Sequence, residues 1–143
     1  MATFTKYETF IEALANKAID AFGATDTWRA IIHTDAPTVA TDADGTADLT
    51  QIAGNNGYTT GGENITFNST RSGITLTMTA VDVVWTASGG NLGSSTTGRY
   101  FSIYDDTSVG NSLFCSYDYA ATFTVASGET MTLDFGASLA TLA

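Results

Sequence analysis

Residues 73–90 set the pattern around which the rest of the chain is read. From Ile74 to Ala80 the alternation is strict: Ile74, Leu76, Met78 and Ala80 fall on one side, and Thr75, Thr77 and Thr79 on the other. A strand sends successive side chains to opposite faces, so this segment predicts one apolar and one hydroxyl face. The phase then slips, and Val81, Val83 and Trp85 carry the apolar pattern on the opposite parity. One extra residue in a strand does that, which predicts a β-bulge or bend near residues 80–82. Without a bend the run would extend about 13 residues, beyond the usual strand length. A bent central strand can serve two sheets, as in a sandwich or an open barrel.

The other elements follow in order. Tyr7, Phe10, Ile11, Leu14, Ala18 and Phe22 recur at helical spacing and predict an amphipathic helix over residues 5–22. Thr5 and Glu8 are placed for a capping box, and Gly23 for a stop. Residues 27–34 read as a first strand, closed by Pro37, the sole proline. Residues 38–62 read as a loop with a short helical turn at 48–53 and turn chemistry at Asn55-Asn56-Gly57 and Gly61-Gly62. Residues 63–70, with Ile65 and Phe67 inward, are expected to form an antiparallel hairpin with 74–86. A Gly/Ser/Thr loop at 88–98 precedes strands at 99–104 and 112–118, the latter with Leu113, Cys115 and Tyr117 in phase. Residues 121–125 and 130–135 are expected to close the chain as a hairpin, leaving 136–143 as a tail. The sum is a single domain over 1–143. It is mainly β, an antiparallel β-sandwich or partly open barrel of about seven strands over 27–135, with one N-terminal α-helix.

Charge narrows the partners. Fifteen acidic residues against five basic ones give a formal net charge of −10. Nucleic-acid binding is not expected, because neutralising phosphates takes clustered Lys and Arg. Anionic membranes are disfavoured by the same sign. Only 14% of residues are charged, so the expected strand edges are rich in Thr and lack the usual defences against pairing. That composition fits edges covered by neighbouring molecules. The lone Cys115 has no internal disulfide partner and reads as a small buried hydrophobe. The first ten residues carry no apolar signal segment, and no apolar run reaches the ~18 residues of a membrane span. Folding in a reducing cytosol is the expectation, with any exit made on a particle.

Candidate chemistry is sparse. Asp42, Asp44, Gly45 and Asp48 faintly resemble a calcium loop, but the glycine comes too early and the bidentate Glu is missing. A solvated acidic loop is the expectation. Asn64-Ile65-Thr66 and Asn68-Ser69-Thr70 match glycosylation acceptors as chance patterns. Gly89, Gly90 and Gly93 lack the Lys-Ser/Thr of a phosphate cradle. His33 has no nucleophile motif beside it and reads as a strand-end surface histidine. Asp105 and Asp106 would face opposite ways in an extended chain. No catalytic, cofactor-binding or metal-binding residue is assigned, and an enzyme is not expected.

The ordered series of pieces resembles small virion proteins of tailed bacteriophages. It comprises Tyr7-Glu8-Thr9-Phe10 with Leu14-Ala15, then Trp28-Arg29-Ala30-Ile31-Ile32-His33-Thr34 ending in Ala36-Pro37. Asp48-Leu49-Thr50-Gln51-Ile52 with Asn56-Gly57-Tyr58 follows, then the run 80–90 and Arg99-Tyr100. The 94–97 insertion departs from the shorter Gly-to-Arg spacing of that pattern. The resemblance implies a capsid decoration (cement) protein that binds between major capsid subunits as a homo-oligomer, with a trimer as the expected form. Helix 5–22 and loops 38–62 and 88–98 are the expected contact elements. A tail, neck or fibre-base component is one alternative. A carbohydrate-binding β-sandwich using Trp28, Trp85 and the tyrosines is another.

Overall fold

The computed structural model describes residues 3–16, 25–38, 45–94 and 97–142. Ten strands and one α-helix are found among them: β1 (Thr3–Lys6), α1 (Thr9–Ala15), β2 (Trp28–His33), β3 (Glu63–Ile65), β4 (Phe67–Ser72), β5 (Thr75–Ala80), β6 (Val83–Thr86), β7 (Gly98–Asp105), β8 (Leu113–Phe123), β9 (Thr130–Leu133) and β10 (Ala140–Leu142). A 3₁₀ turn covers Thr46–Asp48. All strand pairs are antiparallel, and the sheets run β1-β8-β7-β2-β3, β10-β5-β4 and β6-β9. The fold is mainly β and sandwich-like, with no closed barrel among the described residues.

The five-stranded sheet is one layer, and the two small sheets face it. Trp28, Ala30, Ile32, Phe101, Ile103 and Cys115 project from the large sheet into the main core. Met78 comes to meet them from β5, Val83 and Trp85 from β6, and Leu133 from β9. Phe114 sits at the centre of the aromatic packing. Its ring lies 4.2 Å from Phe10, 6.1 Å from Trp28 and 6.3 Å from Phe67. The other face of the large sheet is also covered: Tyr7, Ile31, Leu49, Tyr104 and Leu113 form a second, smaller cluster there.

The phase slip at residues 80–82 is a true break. β5 ends at Ala80 and pairs with β4 and β10, whereas β6 begins at Val83 and pairs with β9. The two residues between are pinned: Val81 N–H donates to the Thr66 carbonyl, and Asp82 Oδ1 accepts the Phe135 N–H. The bent run thus serves two sheets, as its pattern predicts. Ile74, expected on the apolar face, instead lies at the hairpin tip and is 91% exposed.

Several boundaries differ from the sequence reading. The helix is shorter than 5–22: residues 3–6 form a strand on β8, with Phe4 opposite Tyr117 and Lys6 opposite Cys115. Thr3, Phe4 and Thr5 are good strand formers, and pairing to a long neighbour outweighs a weak helical preference. Glu8 occupies the N-cap and makes no side-chain cap bond, so the expected capping box is absent. Ala18, Phe22 and Gly23 lie outside the described residues. The segment 63–70 does not pair with 74–86 as one unit. It divides at Thr66, so that β3 joins β2 and only β4 joins β5. The expected hairpin of 121–125 with 130–135 is not formed. Residues 121–123 complete β8, past a left-handed Ala120 at φ 68°, while β9 pairs with β6. The tail 136–143 contains a strand: Ala140 lies opposite Met78 and Leu142 opposite Leu76.

Because Phe114 joins the helix, β2 and β4 through one ring, Phe114→Ala should cost about 3–5 kcal/mol of unfolding free energy. Urea denaturation followed by tryptophan fluorescence checks this, and a loss below about 1 kcal/mol would contradict the central role given to that ring.

Candidate functional site

His33 ends β2, but it does not face solvent as its position suggested. It is completely buried on the second face of the large sheet, as is Ser102. Its Nε2 lies 2.9 Å from Ser102 Oγ, which in turn is 3.2 Å from the Tyr7 hydroxyl. Its Nδ1 lies 3.0 Å from the Asp35 carbonyl and 3.8 Å from Asp35 Oδ1. The ring stacks on Tyr100 at 5.5 Å. Strand parity explains the burial: His33 is in phase with Ile31, and that side of the sheet is covered. A serine, a histidine and an aspartate thus stand together, yet the hydroxyl and the imidazole have no exposed surface. A nucleophile needs access to its substrate, so this is a satisfied internal network and not a catalytic triad.

The acidic turn after β7 is more unusual. Asp106 leaves the sheet and pairs with Arg29 at 3.4 Å, while Asp105 turns inward and is fully buried. Asp105 Oδ1 accepts the Thr107 N–H at 2.8 Å, and Oδ2 has no hydrogen-bond donor. Burial pushes the Asp105 carboxyl above the usual carboxylate range, and the nearby Asp26 carboxyl adds to the rise. The opposite case is Asp118 on β8. Arg99 holds it in a bidentate pair, Nε to Oδ1 and a terminal nitrogen to Oδ2 both at 3.0 Å, which keeps that carboxyl below its ordinary range. The Arg99 guanidinium also sits 5.0 Å from the Tyr100 ring centre. Both members of the pair are about a third exposed, so its contribution to stability is small.

All three expected contact elements are built into the fold over their described residues. Phe10 anchors α1 in the core, leaving Ile11 as its exposed apolar side chain. The loops 45–62 and 88–94 hold each other: Asn56 Nδ2 donates to the Asn91 carbonyl, Gly93 N–H to the Asn55 carbonyl, and Asn55 bonds Ser94. Gly57 at φ +97° approaches the Thr86 carbonyl so closely that a Cβ would stand 1.9 Å from it. Tyr58, buried beneath, takes the Ile32 N–H at its hydroxyl. Asp42 and Asp44 of the acidic loop lie outside the described residues, and Asp48 is exposed. Among the described residues no group of three or more His, Cys, Asp or Glu is placed to hold a metal ion.

Trp28 and Trp85, considered for sugar stacking, are both buried in the core. A different aromatic surface exists where β8 and β9 part. There Tyr117, Tyr119, Leu133 and Phe135 line an open groove of about 680 Å³ with Asp134 at its edge. Tyr119 is 48% exposed.

The remaining exposed features are apolar tips and a strand edge. Ile74 tops the β4–β5 hairpin, Val81 marks the break at 60% exposure, Val84 on β6 is 52% exposed, and Val109 stands fully in solvent. β4 borders its sheet, and residues 68–72 are all exposed. Sequence reasoning placed contacts on the loops because loops are usually free. It missed these tips because alternation alone does not reveal where a hairpin leaves the body of the protein. No described helix is long and apolar enough to cross a membrane.

Comparison with protein-family models, with curated proteins and with solved structures finds no match. Fold and surface together define a small antiparallel β module. It presents apolar points on a framework of Ser, Thr and Asn.

Asp105 gives a pH signature. Its folded-state pKa is raised, so the burial penalty is absent below the unfolded value near 3.8 and grows as pH rises through the folded value. Asp105→Asn keeps the acceptor for Thr107 and removes the ionisation. The variant should match wild type below the unfolded value, gain on it as pH rises from there to the folded value, and hold a constant advantage above that in denaturant titrations. A difference that does not change with pH would contradict the assignment.

Proposed function

We propose that this chain is a structural protein of a tailed-bacteriophage virion, of the capsid decoration (cement) type. It acts as a homo-oligomer at the joints between major capsid subunits, is made in the host cytoplasm, and carries out no chemical reaction. The observation that carries the reading is the set of large apolar side chains held in water on a sparsely charged, Ser- and Thr-rich framework, above all Ile74 at the tip of β4–β5. Nothing approaches within 4 Å of a Cβ built at the neighbouring Gly73, so the tip is open to a partner. The ordered motifs that resemble phage virion proteins support the same reading.

The mechanism is burial of surface. Covering one such side chain removes roughly 1.5–3 kcal/mol of exposed apolar cost. A protein that binds only the assembled shell stabilises it by mass action, and many copies make modest contacts sufficient. A second reading, carbohydrate binding, is favoured by the Tyr119 groove, where an aromatic face and the Asp134 carboxylate lie together.

Cryo-electron microscopy of the purified particle tests the proposal. Density of this module distributed over the whole shell is expected, whereas density at one vertex would assign it to the neck or tail. Ile74→Asp should lower affinity for assembled shells at least about tenfold while leaving the melting temperature unchanged. No binding of the wild-type chain to shells, together with glycan-array binding that Tyr119→Ala abolishes, would replace this reading with the second one.

A further inference from the structure

The edge of β4 is a pairing surface of defined polarity. Gly73, at φ +59°, opens a two-residue turn between Ser72 and Thr75, which face each other across the hairpin. A turn of that length makes its flanking residues a hydrogen-bonded pair, and such pairs recur at every second position. Asn68, Thr70 and Ser72 therefore direct their N–H and C=O groups toward β5. Phe67, Ser69 and Arg71 direct theirs outward, where no described strand pairs with them. This edge is six residues long, the longest free edge among the described strands that border a sheet, and it contains no Lys, Glu, Asp or Pro. β1 by contrast carries Lys6, and β3 and β10 have only three residues each.

We propose that the β4 edge binds the β4 edge of a second copy of this chain, antiparallel, across a two-fold axis at Ser69. The outward groups dictate the register. A hydrogen-bonded pair must join two outward-facing residues, and the register of greatest overlap sets Phe67 opposite Arg71 of the second copy, Ser69 opposite Ser69, and Arg71 opposite Phe67. Those three pairs exchange about six main-chain hydrogen bonds. Asn68 then lies opposite Thr70 in the intervening positions. The self-pairing is also electrostatically permitted. The single charge of the edge, Arg71, meets an aromatic ring, and its own counterpart is four residues further along, about 13 Å away and beyond the screening length.

Other registers fail on the same grounds. A shift by one residue opposes outward groups to inward ones. A shift by two keeps only two of the three pairs. A partner that sets a basic residue opposite Arg71 would confront it, whereas a second copy in this register sets Phe67 there. The product is a six-stranded sheet made from two three-stranded ones. One of its faces continues the hydroxyl rows of Thr75, Thr77 and Thr79 with Asn68, Thr70 and Ser72. The contact is two-fold, so a trimer on a shell would need a further, different interface.

The purified chain in solution decides the question, with no shell present, so its outcome is separate from that of the capsid reading. Light scattering after size exclusion should give twice the mass of one chain, falling to the single-chain mass on dilution. Ser69→Lys sets two ammonium groups face to face on the axis and should shift the dimer toward monomer at least about tenfold, with circular dichroism and melting temperature retained. Ser69→Cys should form an intermolecular disulfide on mild oxidation, because paired Cα atoms about 5.5 Å apart suit the bond, and Ser72→Cys should not. A wild-type chain that remains monomeric when concentrated, or an oligomer that Ser69→Lys leaves intact, would overturn the proposal.

Discussion

A sheet covered on both faces is the constraint from which the rest of this structure follows. In β2 and β7 nearly every residue is buried, so the usual alternation of apolar and polar positions is replaced by two different interiors. Trp28, Ala30 and Ile32 enter the large core, while Ile31 and His33 enter the small one. Polar groups on that second side have no water to satisfy them, and each must find a protein partner. The His33–Ser102–Tyr7 chain meets that requirement. So does the packing of residues 49–52 along the end of β2, where Ile52 N–H reaches the Ile32 carbonyl. Asp105 meets it only in part, and its raised pKa is the residue of that shortfall.

Legibility in the sequence followed the range of the interactions. β2, β7 and the break between β5 and β6 were readable because their patterns span several residues and are set by local alternation. The turns at Gly57, Gly61, Gly62 and Gly73 were readable because a positive φ selects glycine. β1 and β10 were not. Each is only three or four residues long and exists because a distant strand offers it an edge, as Thr5 does opposite Ser116. β9 was readable as a strand, but its partner was not: it pairs with β6 and not with the neighbouring segment. Local pattern states which residues can form a strand; it does not state where the missing partner lies.

The surface was less legible than the fold. His33 was misplaced because a strand end is normally wet, and nothing in its neighbourhood announced a second core. Ile74 shared the parity of Met78, yet one is at a projecting tip and the other beneath the sheet. Asp105 and Asp106 were correctly separated by parity, but the depth of Asp105 depends on Thr27 and Thr107 closing over that end of the sheet. Contacts of this kind arise only when remote segments are brought together.

Cys115 lies near the start of β8, between β1 and β7, with no exposed surface. It is also the only thiol in the chain. Burial raises its pKa well above the ordinary value, so the native protein presents neither access nor thiolate to an alkylating reagent. Labelling can proceed only after β1 or β7 has peeled away from β8. The chain therefore contains an intrinsic clock for the opening of its most deeply paired strand, readable without introducing a further cysteine.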